Sequence, residues 1–264
     1  MFLKDRVAIV TAGGGPGMGS AFSYALAKEG ASLVVADYDE GRGEAVAKRI
    51  RDGGGKAIGV PTDVSKPADV ERMVERTLKQ FGKVSILSNH AGATTSGKTV
   101  EEMPLELWDR AMNVHLRGTF LCTKAVIPHM KKEKWGRIVN TSSRAAYSSK
   151  IKTLTDYATA KAGIIGFSRS VARELGEYGI TVNCIAPGLV SDSGLGLVYP
   201  SAVWPPPNKE AEQTAADNEG QMIRPYRMVK PDEIAGALLY LVGPYSDRVT
   251  GMVLHVNGGS YLPA

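Results

Sequence analysis

The stretch RVAIVTAGGGPGMG, Arg6 to Gly19, is the one on which the fold turns. Its first half, "RVAIVT" (Arg6–Thr11), is a short apolar, β-branched run and reads as a buried strand. Its second half, "AGGGPGMG" (Ala12–Gly19), spaces Gly13, Gly17 and Gly19 as GxxxGxG, with Gly14 and Gly15 inside. Glycines at such a turn permit positive φ and let the backbone come close to a ligand, while the helix expected next favours an anion at its start. A bare glycine cluster is only a tight turn. Here a strand precedes it, a helix follows, and an acid, Asp37, ends the next apolar run about 20 residues on.

The same rhythm continues outward. "SLVVAD" (32–37), "AIGV" (57–60), "SILSN" (85–89), "GRIVNTS" (136–142), "ITVNCIA" (180–186) and "MVLHV" (252–256) also read as strands. Between them, "DVERMVERTLKQF" puts Val70, Met73, Val74, Thr77, Leu78 and Phe81 on one helical face. Further helices are expected at about 105–130, 157–176 and 231–241. Strands alternating with helices imply right-handed βαβ crossovers, hence a doubly wound parallel sheet of about seven strands covered on both faces. No composition shift divides the chain, so one Rossmann-type α/β domain over 1–264 is expected. The segment at about 189–229 breaks the rhythm with five prolines, and such long connections are usually lids or disordered.

Composition narrows the class. The chain has 264 residues, 43% of them hydrophobic, enough for a sizeable core. No apolar run approaches the roughly 18 residues of a membrane helix, and "MFLKDR" does not read as a secretory signal. Two cysteines outside any CxxC pattern point to a reducing cytoplasm rather than a disulfide framework. The formal charge is +5, but acids and bases are interspersed, so a nucleic-acid partner is not expected. His90, His115, His129 and His255 lack zinc-like spacing, so no metal is expected.

Asp37 selects among anions. A carboxylate at the end of the second strand can accept both ribose hydroxyls of an adenosine and repels a 2′-phosphate. Two unit charges about 4 Å apart at an effective dielectric near 20 repel by roughly 4 kcal/mol. The reading is NAD rather than NADP, with Arg42 as the residue that could offset it; the competing role for Asp37 is a helix cap. Asp63, after the third strand, suits an adenine amino group or, equally, a helix cap.

Tyr157 and Lys161 in "TDYATAKAG" share a helix face at i and i+4. Alone, such a pair is ordinary. The chemistry it permits is specific: an ammonium about 5.5 Å from a phenol favours the phenolate by roughly 3 kcal/mol and lowers its pKa by about 2 units. That brings a proton acceptor near neutrality, as alcohol oxidation by hydride transfer requires. "NTSSRAA" adds Ser142 and Ser143 at a strand end, where open α/β sheets place their ligands; either hydroxyl could hold the reacting oxygen or simply cap a turn.

These elements together resemble the short-chain dehydrogenase/reductases over essentially the whole chain. "AGGGPGMG" is similar to that family's TGxxxGxG turn, with Ala12 for threonine. "SNHAG" (88–92) resembles its NNAG motif, with His90 for the second asparagine. Asn113 in "MNVHLRGTF" matches its active-site asparagine, Ser143 its serine, "YATAK" its YxxxK and "APG" (186–188) its PG motif. The resemblance implies Tyr157 as general acid/base, Lys161 as its pKa modulator and ribose ligand, Ser143 as the group orienting substrate, and Asn113 in a water relay. It implies cofactor contacts from Gly13, Gly17, Met18, Gly19, Asp37, Asp63, Val64, Asn89, Ala91, Gly92, Tyr157, Lys161, Pro187, Gly188 and Val190. Two departures stand out: Ser143 lies fourteen residues before Tyr157, one more than is common, and the usual threonine after Pro187–Gly188 is missing, with Ser191, Asp192 and Ser193 nearby.

The expectation is an NAD-dependent oxidoreductase interconverting a secondary alcohol and a ketone. Thr94, Tyr147, Leu154, Tyr199 and Trp204 are the candidate substrate contacts, suiting an apolar alicyclic, aromatic or steroid-like compound. The alternatives are an NADPH-dependent 3-oxoacyl-carrier-protein reductase, with Lys150 and Lys152 near the mouth, and a non-catalytic dinucleotide-binding sensor or scaffold. The resemblance also suggests a homotetramer, with Ala160, Gly163, Ile164 and Phe167 as candidate contacts.

Overall fold

The computed structural model describes residues 1–93, 96–147, 153–191 and 228–262. Seven strands form one sheet: β1 (Val7–Thr11), β2 (Ser32–Asp37), β3 (Ala57–Pro61), β4 (Ile86–Asn89), β5 (Gly136–Thr141), β6 (Ile180–Pro187) and β7 (Val253–Val256). All pairings are parallel and the order is β3-β2-β1-β4-β5-β6-β7. This is a Rossmann-type doubly wound α/β fold.

The helices are α1 (Met18–Lys28), α2 (Glu40–Asp52), α3 (Pro67–Phe81), α4 (Leu105–Ala111), α5 (Gly118–Glu133), α6 (Thr155–Leu175) and α7 (Pro231–Val242). Strand alternation divides the core. Ala8 and Val10 pack with Phe22 and Leu26 of α1, Ile50 of α2 and Leu238 of α7. Ile9, between them, faces the other side with Met73 of α3, Val126 of α5 and Leu175 of α6. The helix read from Val70, Met73, Val74 and Thr77 does bury those four residues; Pro67 opens it and Gly82, at φ 78°, closes it.

The chain reverses direction across the sheet between β1 and β4. After β1 it winds outward through β2 and β3; after β3 it returns to place β4 on the other side of β1. Ligands of open α/β sheets bind in the crevice at such a switch point. The glycine turn after β1 and the residues after β4 border that crevice.

The expected single helix over 105–130 is interrupted. Met112–Arg117 forms a π-turn between α4 and α5, and the Gly118 N–H reaches the Asn113 carbonyl, five residues back. A π-turn inserts one residue into the helical phase, which periodicity does not register; such turns are frequent at functional sites.

Candidate active site

The glycine turn is built around backbone clearance. Gly17 has φ 88° and ψ −127°, a conformation side chains oppose. A Cβ on Gly19 would be driven into the Ala12 carbonyl oxygen, and one on Gly14 would lie 2.6 Å from the Arg42 carbonyl carbon. No side chain caps the start of α1 and no acid lies in its first turn. An uncapped helix start beside a glycine cradle fits the pyrophosphate of a dinucleotide.

Asp37 is buried directly under this turn, 3% exposed. Its carboxylate accepts from the Gly14 N–H at 3.1 Å and the Asp39 N–H at 3.0 Å. The Arg42 guanidinium is 3.4 Å away and also within 3.7 Å of Asp39. Asp37 is therefore no helix cap; Asp39 caps α2 by accepting from the Arg42 N–H. Three donors leave a carboxylate room for one more, such as a ribose hydroxyl. Asp63 does not cap α3, whose N-cap is Lys66; it accepts from the Ser65 N–H and hydroxyl in a local turn. Val64 beside it is buried, its side chain filling the space a Cβ on Gly118 would need.

The loop after β4 is tied to β1. Thr11 Oγ1 accepts from the His90 and Ala91 N–H groups at 2.9 and 3.0 Å. His90 itself has its Nδ1 3.3 Å from Thr141 Oγ1 and its ring edge-on to Phe22. Asn89 turns inward, donating to Asn140 at 2.8 Å and to Thr123 at 3.1 Å, and Asn140 donates on to Ser168. This polar layer under the crevice was not anticipated from sequence. Asn140 opens the "NTSSRAA" stretch, and only the register of β4 against β5 brings it to Asn89.

The catalytic candidates converge at the end of β5. Lys161 Nζ is 5.5 Å from the Tyr157 ring centre and donates to the Thr141 carbonyl at 2.7 Å. The Ser143 hydroxyl lies close enough to the Tyr157 phenol to favour its charged form. Ser142, the other serine considered, is fully buried and donates to the Lys161 carbonyl. Its hydroxyl is committed to α6, so Ser143 is the serine that meets the tyrosine. Asn113 stands at the start of the π-turn, which packs against α6.

Burial changes the expected electrostatics. The Tyr157 pKa is raised above its ordinary value by desolvation, with the Ser143 bond opposing. This runs opposite to the lowering expected from Lys161: desolvation dominates, and the opposing contribution is the Ser143 hydroxyl. Lys161 is itself pushed down to about 8 by burial.

A residue the sequence reading passed over completes the wall. His115, buried on the π-turn, sits edge-on to Tyr157 at 5.3 Å between ring centres. Its Nε2 is 2.9 Å from the Ala93 carbonyl, while its Nδ1 has no partner among the described residues. Desolvation, and next the Lys161 charge, hold its pKa down at about 3, so it is neutral. The ring leaves no room for a Cβ on Gly92, which would lie 2.6 Å from His115 Cε1.

Past β6, the Gly188 N–H donates to Val256, and Val190 pairs with Val229 in an isolated parallel bridge. Both ends of the 189–229 segment are thus pinned together; its residues 192–227, with Tyr199 and Trp204, lie outside the described residues. So do Thr94, Lys150 and Lys152. Leu154 is buried just before α6. Tyr147 packs against Ile164, Ile165 and Cys184, with its ring against His255 and Tyr261. Three of the residues read as subunit contacts serve their own chain: Ala160 and Ile164 are buried, and Gly163 meets Leu116. Phe167 packs against the half-exposed Phe120.

A glycine turn over a buried acid, together with Ser143, Tyr157 and the buried Lys161 at the end of β5, is an arrangement suited to a dinucleotide and to proton transfer. Comparison with known proteins agrees. A family model described as short chain dehydrogenase matches residues 6–196. Over 262 residues the chain is 37% identical to the BbsD subunit of the (2S)-[(R)-hydroxy(phenyl)methyl]succinyl-CoA dehydrogenase of Thauera aromatica, covering 99% of each chain. It is 36% identical to the short-chain reductase protein NovJ of Streptomyces niveus, covering 97% of this chain and 94% of that one. It is 35% identical to a 3-oxoacyl-[acyl-carrier-protein] reductase of Synechocystis, covering 97% of each. The chain belongs to the short-chain dehydrogenase/reductases, a family of oxidoreductases that bind nicotinamide dinucleotides. No helix among the described residues is long and apolar enough to cross a membrane.

Proposed function

We propose that this protein is an NAD-dependent oxidoreductase interconverting a secondary alcohol and a ketone. The observation that carries the reading is the cluster of Ser143, Tyr157 and the buried Lys161 at the end of β5. The dinucleotide, when bound, supplies the hydride acceptor or donor. The chain's residues handle the proton. Tyr157 takes it from the substrate hydroxyl during oxidation and returns it to the ketone oxygen during reduction. Ser143 holds that oxygen by a hydrogen bond that strengthens as negative charge develops. Lys161 keeps a positive charge beside the phenol, and Asn113 on the π-turn completes the water relay.

NAD over NADP is supported by local charge. Asp37 and Asp39 together outnumber Arg42, whose guanidinium is shared between them. A 2′-phosphate about 4 Å from Asp37 meets roughly 4 kcal/mol of repulsion at an effective dielectric of 20. An apolar, ring-bearing substrate is supported by Leu154 and by the hydroxy(phenyl)methyl group in the Thauera relative's name. A cytoplasmic location is supported by two free, buried thiols, Cys122 and Cys184. A homotetramer belongs to the same proposal, with the exposed Phe120 on α5 as its candidate contact. The second reading, an NADPH-dependent 3-oxoacyl-carrier-protein reductase, is favoured by the Synechocystis relative.

The test is a fluorescence titration with NADH and NADPH, followed by NAD-dependent oxidation of cyclohexanol and 1-phenylethanol. NADH should bind more tightly. Tyr157→Phe should still bind NADH while losing turnover by about 10²–10⁴-fold. Full activity in that variant removes the proton-transfer role. NADPH preference with turnover of an acetoacetyl thioester promotes the second reading.

A further inference from the structure

The Ser143 hydroxyl sits on a short turn that packs against α6. Ser143 Oγ accepts from the Ala145 N–H at 3.1 Å, and its carbonyl accepts from Ala146. The turn Arg144–Ala146 is one 3₁₀ turn long and ends at Tyr147. The Tyr147 ring stacks on Tyr261 at 5.1 Å with 24° between planes; His255 of β7 closes on it at 4.9 Å. His255 and Tyr261 also touch, at 5.4 Å, so the three rings form a closed cluster.

Tyr261 is far from Tyr147 in sequence, and its place is set by Asn257. The Asn257 amide donates to the Tyr261 carbonyl at 2.9 Å and its oxygen accepts from the Gly259 N–H at 2.9 Å. Asn257 is 6% exposed. It also presses on the other wall: a Cβ on Gly188 would lie 2.9 Å from Asn257 Cα, and the Gly188 N–H donates to Val256. One short segment thus grips the turns after both β5 and β6.

We propose that residues 257–261 are a clasp that positions the Ser143 hydroxyl against Tyr157, with Tyr261 as a positioning residue for the reaction. The proposal rests on the reading of Ser143 and Tyr157 given above. Without the ring stack, the Ser143 turn loses the anchor at its Tyr147 end, and the hydroxyl is held less firmly beside the phenol. Misplacement of about 1 Å at a reacting group costs on the order of 100-fold in rate. The groups facing the phenol are Ser143 from the β5 turn, His115 from the π-turn and Lys161 from α6. Of these only Ser143 is reached by the clasp. Its bond favours the phenolate, so losing it moves the low-pH limb of alcohol oxidation to higher pH.

The experiment compares Tyr261→Ala, Tyr261→Phe and Asn257→Ala with wild type and Ser143→Ala. Hydrogen exchange is read over residues 141–147, and the pH profile of kcat for NAD-dependent oxidation of 1-phenylethanol is recorded. Expected are faster exchange, a kcat roughly 10- to 100-fold lower and an upward shift of the limb in Tyr261→Ala and Asn257→Ala. Tyr261→Phe keeps the stack and restores all three. Unchanged exchange in Tyr261→Ala overturns the clasp. Faster exchange with an unmoved limb, where Ser143→Ala does move it, overturns the positioning role. Full turnover by Ser143→Ala removes the underlying assignment of the serine and the positioning role with it; the exchange data separately report whether the clasp holds the turn.

Discussion

Lys161→Met should change how stability depends on pH. Burial pushes the Lys161 pKa from 10.5 down to about 8. Between those values the unfolded chain holds the proton and the folded one does not, so this lysine makes stability rise with pH across that window. Below pH 8 both states are charged, and the folded one bears a penalty of about 2.5 units, or about 3 kcal/mol. By pH 10 less than about 1 kcal/mol of it remains. Methionine has no such penalty. It does strip the Thr141 carbonyl of its donor, a pH-independent cost of about 1–3 kcal/mol. The variant should therefore match or exceed wild type in stability at pH 7 and fall below it at pH 10. The difference between the two proteins should move by about 2–3 kcal/mol, roughly 5–10 °C in Tm. Thermal unfolding by circular dichroism, without dinucleotide, measures it, and the other titrating groups cancel between the proteins. A Tm difference that stays flat between pH 7 and 10 would refute the buried, charged lysine. Turnover should be lost in the same variant, so the site keeps this cation at the expense of stability.

Asp37→Asn keeps an acceptor for the Gly14 N–H but removes the charge and frees Arg42. The NADPH-to-NADH affinity ratio should rise at least about tenfold, well within the roughly 4 kcal/mol available; an unchanged ratio means the acid does not discriminate. Gly92→Ala should cost about 1–3 kcal/mol by overpacking against the buried His115 ring. Adding His115→Ala should recover part of that loss, and strict additivity in the double variant would show that the two residues do not meet.

Much of the site was legible because its signals are local. The glycine spacing after β1, the acid closing β2 and the i, i+4 pair on α6 each lie within one element or one turn, where period and spacing determine geometry. The alternation of strands and helices likewise specified a parallel doubly wound sheet, because a parallel pair needs a crossover. What the sequence by itself determined was therefore the layering of the fold, the family, and the local geometry of the glycine turn and of the Tyr157–Lys161 pair.

Contacts between distant elements were decided by tertiary structure. Two adjacent serines are equivalent on paper; only the packing of α6 commits Ser142 to the Lys161 carbonyl and leaves Ser143 for the tyrosine. A π-turn shifts helical phase without altering the apolar pattern, so His115 had no signal pointing it at Tyr157. The Asn89–Asn140 bond follows from strand register, and the Tyr147–Tyr261 stack from the meeting of two turns more than a hundred residues apart. The direction of the Tyr157 pKa was decided the same way. Spacing supplies the distance to a charge, but desolvation depends on everything packed around the phenol, and here desolvation sets the direction.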